Sequence, residues 1–254
     1  MKNIINWKLF LILLAACVIA AMLVIPYTLA LTSSEIELTP ILLLLTAAQN
    51  LVLFAIVTFI GLLTAKPIGL GAPILQGLLE GKKIGKEFKS LLLPSISLGL
   101  IAGVLIVAAS IPFNSLLPDL GEADVNIAPW KALLASFYGG IGEEVLLRLF
   151  LLSLILWIIT KINKAKDGCT TAFEKWFSII FAAVIFGLGH LPATAQIIPL
   201  NGIVIFRAIV LNGIGGVIFG WLYCKKGLES AMIAHFMADI VLHIITPFVV
   251  VLIS

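Results

Sequence analysis

One feature limits the fold of this chain more than any other: long apolar stretches recur along its whole length. They fall at residues 7–31, 41–64, about 91–109, about 129–160, about 177–191, about 203–223 and 229–252. A helix of about 20 mainly apolar residues crosses a hydrocarbon layer ~30 Å thick. Seven such stretches cannot be the core of one soluble domain. Of the 254 residues, 61% are hydrophobic and 11% charged, with a mean hydropathy of +1.20. Soluble domains carry roughly 45–50% apolar and about 25% charged residues. The expected fold class is all-α, a polytopic transmembrane helical bundle of seven to eight membrane helices. The uncertainty of one comes from the fourth stretch, which is long for a straight span and holds Gly139, Gly140 and Gly142 as potential breaks. The first stretch follows Lys2 and Lys8 like a signal peptide. Its apolar part exceeds the roughly 7–15 residues of such a signal, and no A-x-A site follows. It is therefore expected to be a retained span.

Lysine placement orients the bundle. Lys66, Lys82, Lys83, Lys86 and Lys89 follow the second stretch, Lys161, Lys164, Lys166 and Lys175 the fourth, and Lys225 and Lys226 the sixth. The alternate loops carry only Glu35, Glu37, Asp119, Glu122 and Asp124, or no charge at all. Positive loops face the cytoplasm, so an integral cell-membrane protein with a cytoplasmic N-terminus is expected. Lys131 and Arg207 lie near span starts, where long basic side chains snorkel. Residues 74–88 read as a basic, weakly amphipathic segment lying on the membrane surface. No internal repeat or soluble insert divides the chain, so residues 1–254 are expected to form one membrane domain. Cys17, Cys169 and Cys224 show no metal or redox spacing.

The ionisable residues within the apolar stretches carry the functional signal. A charge at the centre of a membrane helix costs about 2.5–3.5 kcal/mol on insertion scales, so such residues face a bundle interior or a polar cavity. They are Glu143, Glu144, Arg148, His190, His235, Asp239 and His243. Glu144 and Arg148 stand at i and i+4, acid first, in the better order for a helical ion pair. Glu143 points about 100° away on an α-helix. Left without the arginine, it is a candidate general base. Phe186 and His190 share a face, and Gly187 and Gly189 would admit a neighbouring helix. His235, Asp239 and His243 follow each other at four-residue spacing, and a carboxylate beside an imidazole fixes its tautomer. On straight, full-length helices, however, the depths of Glu143, His190 and His235 do not coincide.

Taken in order, Glu143-Glu144-x-x-x-Arg148, Phe186-x-x-x-His190 and His235-x-x-x-Asp239 resemble the motif set of the CPBP family. These are the CAAX proteases and bacteriocin-processing (Abi) proteins. The resemblance covers a motif-bearing core at about residues 130–245. It implies an intramembrane endopeptidase with a polar cavity in a helical bundle. Its substrate would be a membrane-associated or prenylated (CAAX-type) protein, or a leader peptide. Glu143 and His190 would activate water, His235 and Asp239 would complete the pocket and meet the oxyanion, and Glu144, Arg148 and Phe186 would support them. Asp239 stands where the family often has asparagine. An ionised aspartate cannot donate a hydrogen bond, so Asp239 would orient His235 or act protonated. His243 lies outside the motif.

The resemblance leaves the cofactor open. Zinc would be held by His190, His235 and Glu143 in an open three-ligand site; the alternative is glutamate-driven hydrolysis without metal. Expected partners are membrane lipid and a peptide or lipidated protein, and no nucleic acid. Two other functions stand beside the protease. A proton-coupled transporter also uses intramembrane carboxylates and histidines, although no inverted repeat is present. A catalytically silent immunity or scaffold protein would use them for structure alone.

Overall fold

The computed structural model describes residues 5–32, 36–117, 127–163 and 170–253. Expectations that rest on Lys2, Glu35, Asp119, Glu122, Asp124, Lys164, Lys166 and Cys169 lie outside the described residues. Each apolar stretch becomes a helix. Among the described residues, seven helices are long and apolar enough to span a membrane: α1 Trp7–Leu31, α2 Pro40–Ile68, α3 Gly85–Leu116, α4 Pro129–Ile162, α5 Ala172–Thr194, α6 Gly202–Lys226 and α7 Leu228–Val250. No strand occurs among the described residues. The chain is an integral multi-pass membrane protein.

Polar caps, more than the apolar pattern, set the helix ends. Thr171 accepts from the Glu174 amide while Glu174 accepts from the Thr171 amide. This reciprocal box starts α5 five residues ahead of the expected 177. Asn201 caps α6 by accepting from Ile203 and Val204. Inside α1, Pro26 cannot donate to the preceding turn, and the helix is interrupted at Val24 and resumes at Ile25.

The fourth stretch is one element, not two. Over Tyr138–Glu143 and Val145–Leu152 its backbone widens to π-type bonding. Its glycines do not break it. A Cβ on Gly140 would lie 3.0 Å from the Met232 carbonyl oxygen and 3.1 Å from Phe236 Cβ. The missing side chain lets α7 pack against α4 at backbone distance.

A second departure concerns residues 74–88. They do not form one segment along the surface. Pro73–Leu79 is a short helix with Ile74 and Gly77 buried, and Gly85 onward already belongs to α3. The cause lies in α7. Gly227, at φ +97°, joins α6 to α7 alone, a conformation that suits glycine. It brings Leu228, Glu229, Ser230 and Ala231 into the interior. Their polar groups must then find partners. The Leu75 amide donates to Glu229 Oε1 at 2.8 Å, and the Leu228 amide donates to the Gly71 carbonyl at 2.9 Å. The segment from Lys66 to Leu79 thus floors the start of α7. With that start buried, His235 lies beside the middle of α4, which removes the depth mismatch expected of straight full-length helices.

Candidate active site

Glu144, Arg148 and His235 form the fully buried part of the site. Glu144 is 0% exposed and Arg148 1%, with Arg148 Nη1 at 2.8 Å from Glu144 Oε1. Arg148 Nη2 donates to the Gly216 carbonyl of α6 at 3.2 Å. Its guanidinium also lies over the rings of Phe186 at 5.2 Å and Phe219 at 5.4 Å, the arrangement in which a cation gains from the ring quadrupole. The same Glu144 Oε1 accepts from His235 Nδ1 at 2.7 Å. This corrects one expectation: the carboxylate that fixes the His235 ring comes from α4, not from Asp239. Because Nδ1 is engaged, Nε2 is the atom presented to the cavity. It stands 3.7 Å from Glu143 Oε2 and 3.6 Å from Asp239 Oδ1, outside hydrogen-bond length.

Glu143 faces the other way, with a side chain 20% exposed. It lines a cavity of about 650 Å³ together with His190, His235, Asp239 and Tyr138. A smaller cavity of about 350 Å³ between α4 and α5 shares Tyr138, Glu143, Phe186 and His190 and is otherwise walled by apolar side chains such as Leu147, Phe150 and Ile185. His190 sits where α5 turns into its last short segment, Leu191–Thr194. Its Nδ1 is 2.9 Å from the Phe186 carbonyl, and donation there leaves Nε2 as the lone-pair atom of the neutral ring. Phe186 and His190 are in ring contact, as their shared face implies. Phe186 meets His190 edge to face at 4.7 Å and His235 likewise at 5.7 Å, touching both imidazoles. Of the two glycines expected to admit a neighbour, only Gly187 does: a Cβ there would lie 2.6 Å from Ile209 Cα, whereas Gly189 has nothing within 4 Å.

The structure thus brings Glu143, Glu144, Arg148, Phe186, His190, His235 and Asp239 from α4, α5 and α7 to one place. It adds residues that sequence reasoning missed. Phe219 of α6 stacks on His235 with centroids 4.7 Å apart; one aromatic in an apolar run gives no sequence signal. Gly139 faces the site itself. A Cβ on it would collide with Asp239 Oδ2 and lie 3.1 Å from His235 Nε2, so glycine there keeps the floor of the cavity open. The Gly139-Gly140 doublet was visible in the sequence, but as a helix break. Tyr27 of α1 closes the far wall, its hydroxyl 3.2 Å from His243 Nδ1, which places His243 in the cavity lining. Arg207 lines the same cavity.

The proposed zinc ligands do not make a ligand set. Among the described residues no three His, Cys, Asp or Glu side chains are grouped to hold a metal ion. Glu144 is committed to Arg148 and His235, and the remaining carboxylates oppose His235 Nε2 at 3.6 to 3.7 Å instead of converging with His190 on one point.

Comparison with known proteins meets the same stretch of chain. No curated protein and no solved structure matches. Residues 125–241 match the family model of the type II CAAX prenyl endopeptidase Rce1-like proteins. That region spans α4 to α7 and holds all three motifs. Over residues 125–241 the chain is thus similar to the Rce1-like type II CAAX prenyl endopeptidases, a match consistent with the CPBP family to which its three motifs point.

Proposed function

We propose that the chain is an intramembrane endopeptidase that hydrolyses a peptide bond of a membrane-associated or lipidated substrate with water activated by Glu143 and His190. The observation that carries this reading is the opposite placement of two adjacent glutamates. Glu144 is locked to Arg148 and His235, while Glu143 opens onto both cavities beside His190. A carboxylate with no arginine or lysine bound to it, beside an imidazole nitrogen lone pair, is a base for water. Glu143 would take the water proton as its oxygen attacks the carbonyl carbon, and would return that proton to the leaving amine. His235, held at Nδ1 by Glu144, would meet the oxyanion through Nε2–H as an imidazolium, and Asp239 in its acid form would be the second donor. The apolar cavity between α4 and α5 suits a lipid chain or apolar residue entering from the bilayer.

The test is hydrolysis of a mixed set of lipidated and leader-type peptides by the purified full chain, beside Glu143→Gln and His190→Ala. Removing a general base costs about 10²–10⁴-fold in rate. Cleavage undiminished in folded Glu143→Gln would sink the mechanism. Cleavage lost only on chelation and restored by zinc would replace it with a metal-dependent one.

The N-terminus is proposed to be cytoplasmic. Lys66, Lys82, Lys83, Lys225 and Lys226 gather at one end of the bundle, and the main cavity is lined away from them by Thr32, Thr194 and Gln196. On this orientation the site is reached from the bilayer or from the non-cytoplasmic side. Thiol labelling of intact cells carrying Gln196→Cys or Lys82→Cys tests it. Labelling by an impermeant reagent is expected for the first only, and the reverse pattern would invert the protein.

A further inference from the structure

Two basic cavities open at the lysine-rich end of the bundle, and they differ in charge balance. One, of about 540 Å³, is lined by Lys82, Lys83, Lys225 and Lys226 but also by Glu80 and Glu87. Lys82 pairs with Glu80 at 2.6 Å, so this cavity carries its own counter-charge. The other, of about 430 Å³, is lined by Lys66, Lys225, Lys226 and Asn6 and by no acidic residue. Lys226 donates to the Ser90 carbonyl at 3.3 Å, and no carboxylate among the described residues pairs with it or with Lys225. Asn6 uses Oδ1 to accept from the Leu9 amide, so its amide nitrogen is left to donate. The wall that follows Lys66 is a turn with Gly69 at φ +71° and Gly71 at φ +140°. A Cβ at either glycine would meet nothing within 4 Å. The turn therefore curves around open space, not around another helix.

We infer that this acid-free cavity is a binding site for a phosphate-bearing anion, the headgroup of an anionic phospholipid or a soluble phosphate, held by Lys66, Lys225 and Lys226. The inference does not depend on the endopeptidase reading. Ammonium groups gathered without a counter-charge repel one another, and an anion between them relieves that repulsion. Lysine binds phosphate as a point charge, and basic pockets between membrane helices take lipid headgroups. The volume falls within the range of small-molecule sites, about 300–1,000 Å³. Leu9, Leu62 and Leu70 also line the cavity, an apolar wall beside a charged one that suits the base of a headgroup. Lys66 comes from the end of α2, Lys225 and Lys226 from the end of α6, and Asn6 caps the start of α1. One anion would join three helices. It would also sit on the joint that seats α7. Gly71 and Gly227 line the cavity, and the Gly71 carbonyl accepts from the Leu228 amide at 2.9 Å. Since α7 carries His235 and Asp239, the ligand steadies the segment that sets their depth.

The experiment uses the delipidated full-length protein in nanodiscs of phosphatidylcholine alone or mixed with phosphatidylglycerol, with and without inorganic phosphate at constant ionic strength. A ligand present at about 100 times its Kd raises the thermal unfolding midpoint of a chain of this size by about 5 °C or more. A rise with phosphatidylglycerol alone assigns the site to a lipid headgroup, and a rise with inorganic phosphate in neutral discs assigns it to a soluble phosphate. No rise with either overturns the site. In Lys66→Gln/Lys225→Gln the rise is expected to vanish. Lys86→Gln/Lys89→Gln is the control, because both lysines lie at the start of α3 and line neither cavity; its rise is expected to match the parent's. Equal loss in the two double variants would reduce the effect to diffuse surface charge and overturn the assignment. Lysine acetylation read by mass spectrometry tests the parent itself, so the outcome does not hang on a variant that folds. The anion is expected to slow acetylation of Lys66 and Lys225 about tenfold or more relative to Lys86 and Lys89. Uniform protection of all four, or none, overturns the site.

Discussion

Glu143 and Glu144 are neighbours in sequence and opposites in the structure. On one side of α4, Glu144 has no exposed surface, and its Oε1 is held by both Arg148 and His235. On the other, Glu143 keeps a fifth of its side chain exposed, with no partner nearer than 3.7 Å. The buried side behaves as architecture. It ties α4 to α6 through Gly216 and to α7 through His235. The cavity side holds groups that are close but unbonded, the condition of a site that can accept a reacting molecule. The difference teaches that the cost of intramembrane charge is met in two ways, by mutual neutralisation within a helix pair and by opening the helix face onto a polar space.

The sharpest way to break this contrast is Arg148→Ala. It would strand Glu144 in the interior, and breaking a buried pair by removing one partner costs about 3–5 kcal/mol. A fall of that size in denaturant resistance is expected, with loss of folded protein in detergent; an unchanged unfolding midpoint would show that Glu144 is not held by the arginine. Next comes the pair Glu143→Gln and Glu144→Gln. The first should lose about 10²–10⁴-fold in peptide hydrolysis while unfolding as the parent does, and the second should lose stability as well. Equal stability losses in both would erase the distinction between the two sides.

Gly139→Ala sharpens the cavity side alone. Its new methyl would press on the Asp239 carboxylate and on His235 Nε2. Misplacing a reacting group by about 1 Å costs about 10²-fold, so a comparable drop in kcat is expected, with a stability loss of about 1–3 kcal/mol from overpacking. Retained activity would mean that Gly139 does not bound the reacting volume. Tyr27→Phe should have the smallest effect. It removes only the hydroxyl contact to His243, a bond with a net contribution of about 1 kcal/mol, and a shift of that order in thermal unfolding checks it. A large loss of hydrolysis instead would draw Tyr27 and His243 into the chemistry.

Much of this was legible in the chain. Runs of apolar residues determined a bundle of seven to eight membrane helices, because a lipid-spanning backbone must satisfy its own hydrogen bonds and length and hydropathy decide whether it can; that the fourth run is a single element was decided by the structure. The i, i+4 spacing determined the Glu144–Arg148 pair, because both ends lie on one helix. The motif order pointed to the family later matched over residues 125–241. What only the tertiary structure decided are relations between helices. Which carboxylate holds His235 depended on α4 lying against α7, and it is Glu144 from another helix, not Asp239 four residues along. The Gly139-Gly140 doublet read as a break because glycine weakens an isolated helix; packed against α7, it is the contact surface. That Arg207 lines the cavity was not legible, because its own helix gives no sign of a cavity beside it. Local spacing fixes what one helix can do for itself, and only the packing of helices fixes which groups from different helices meet.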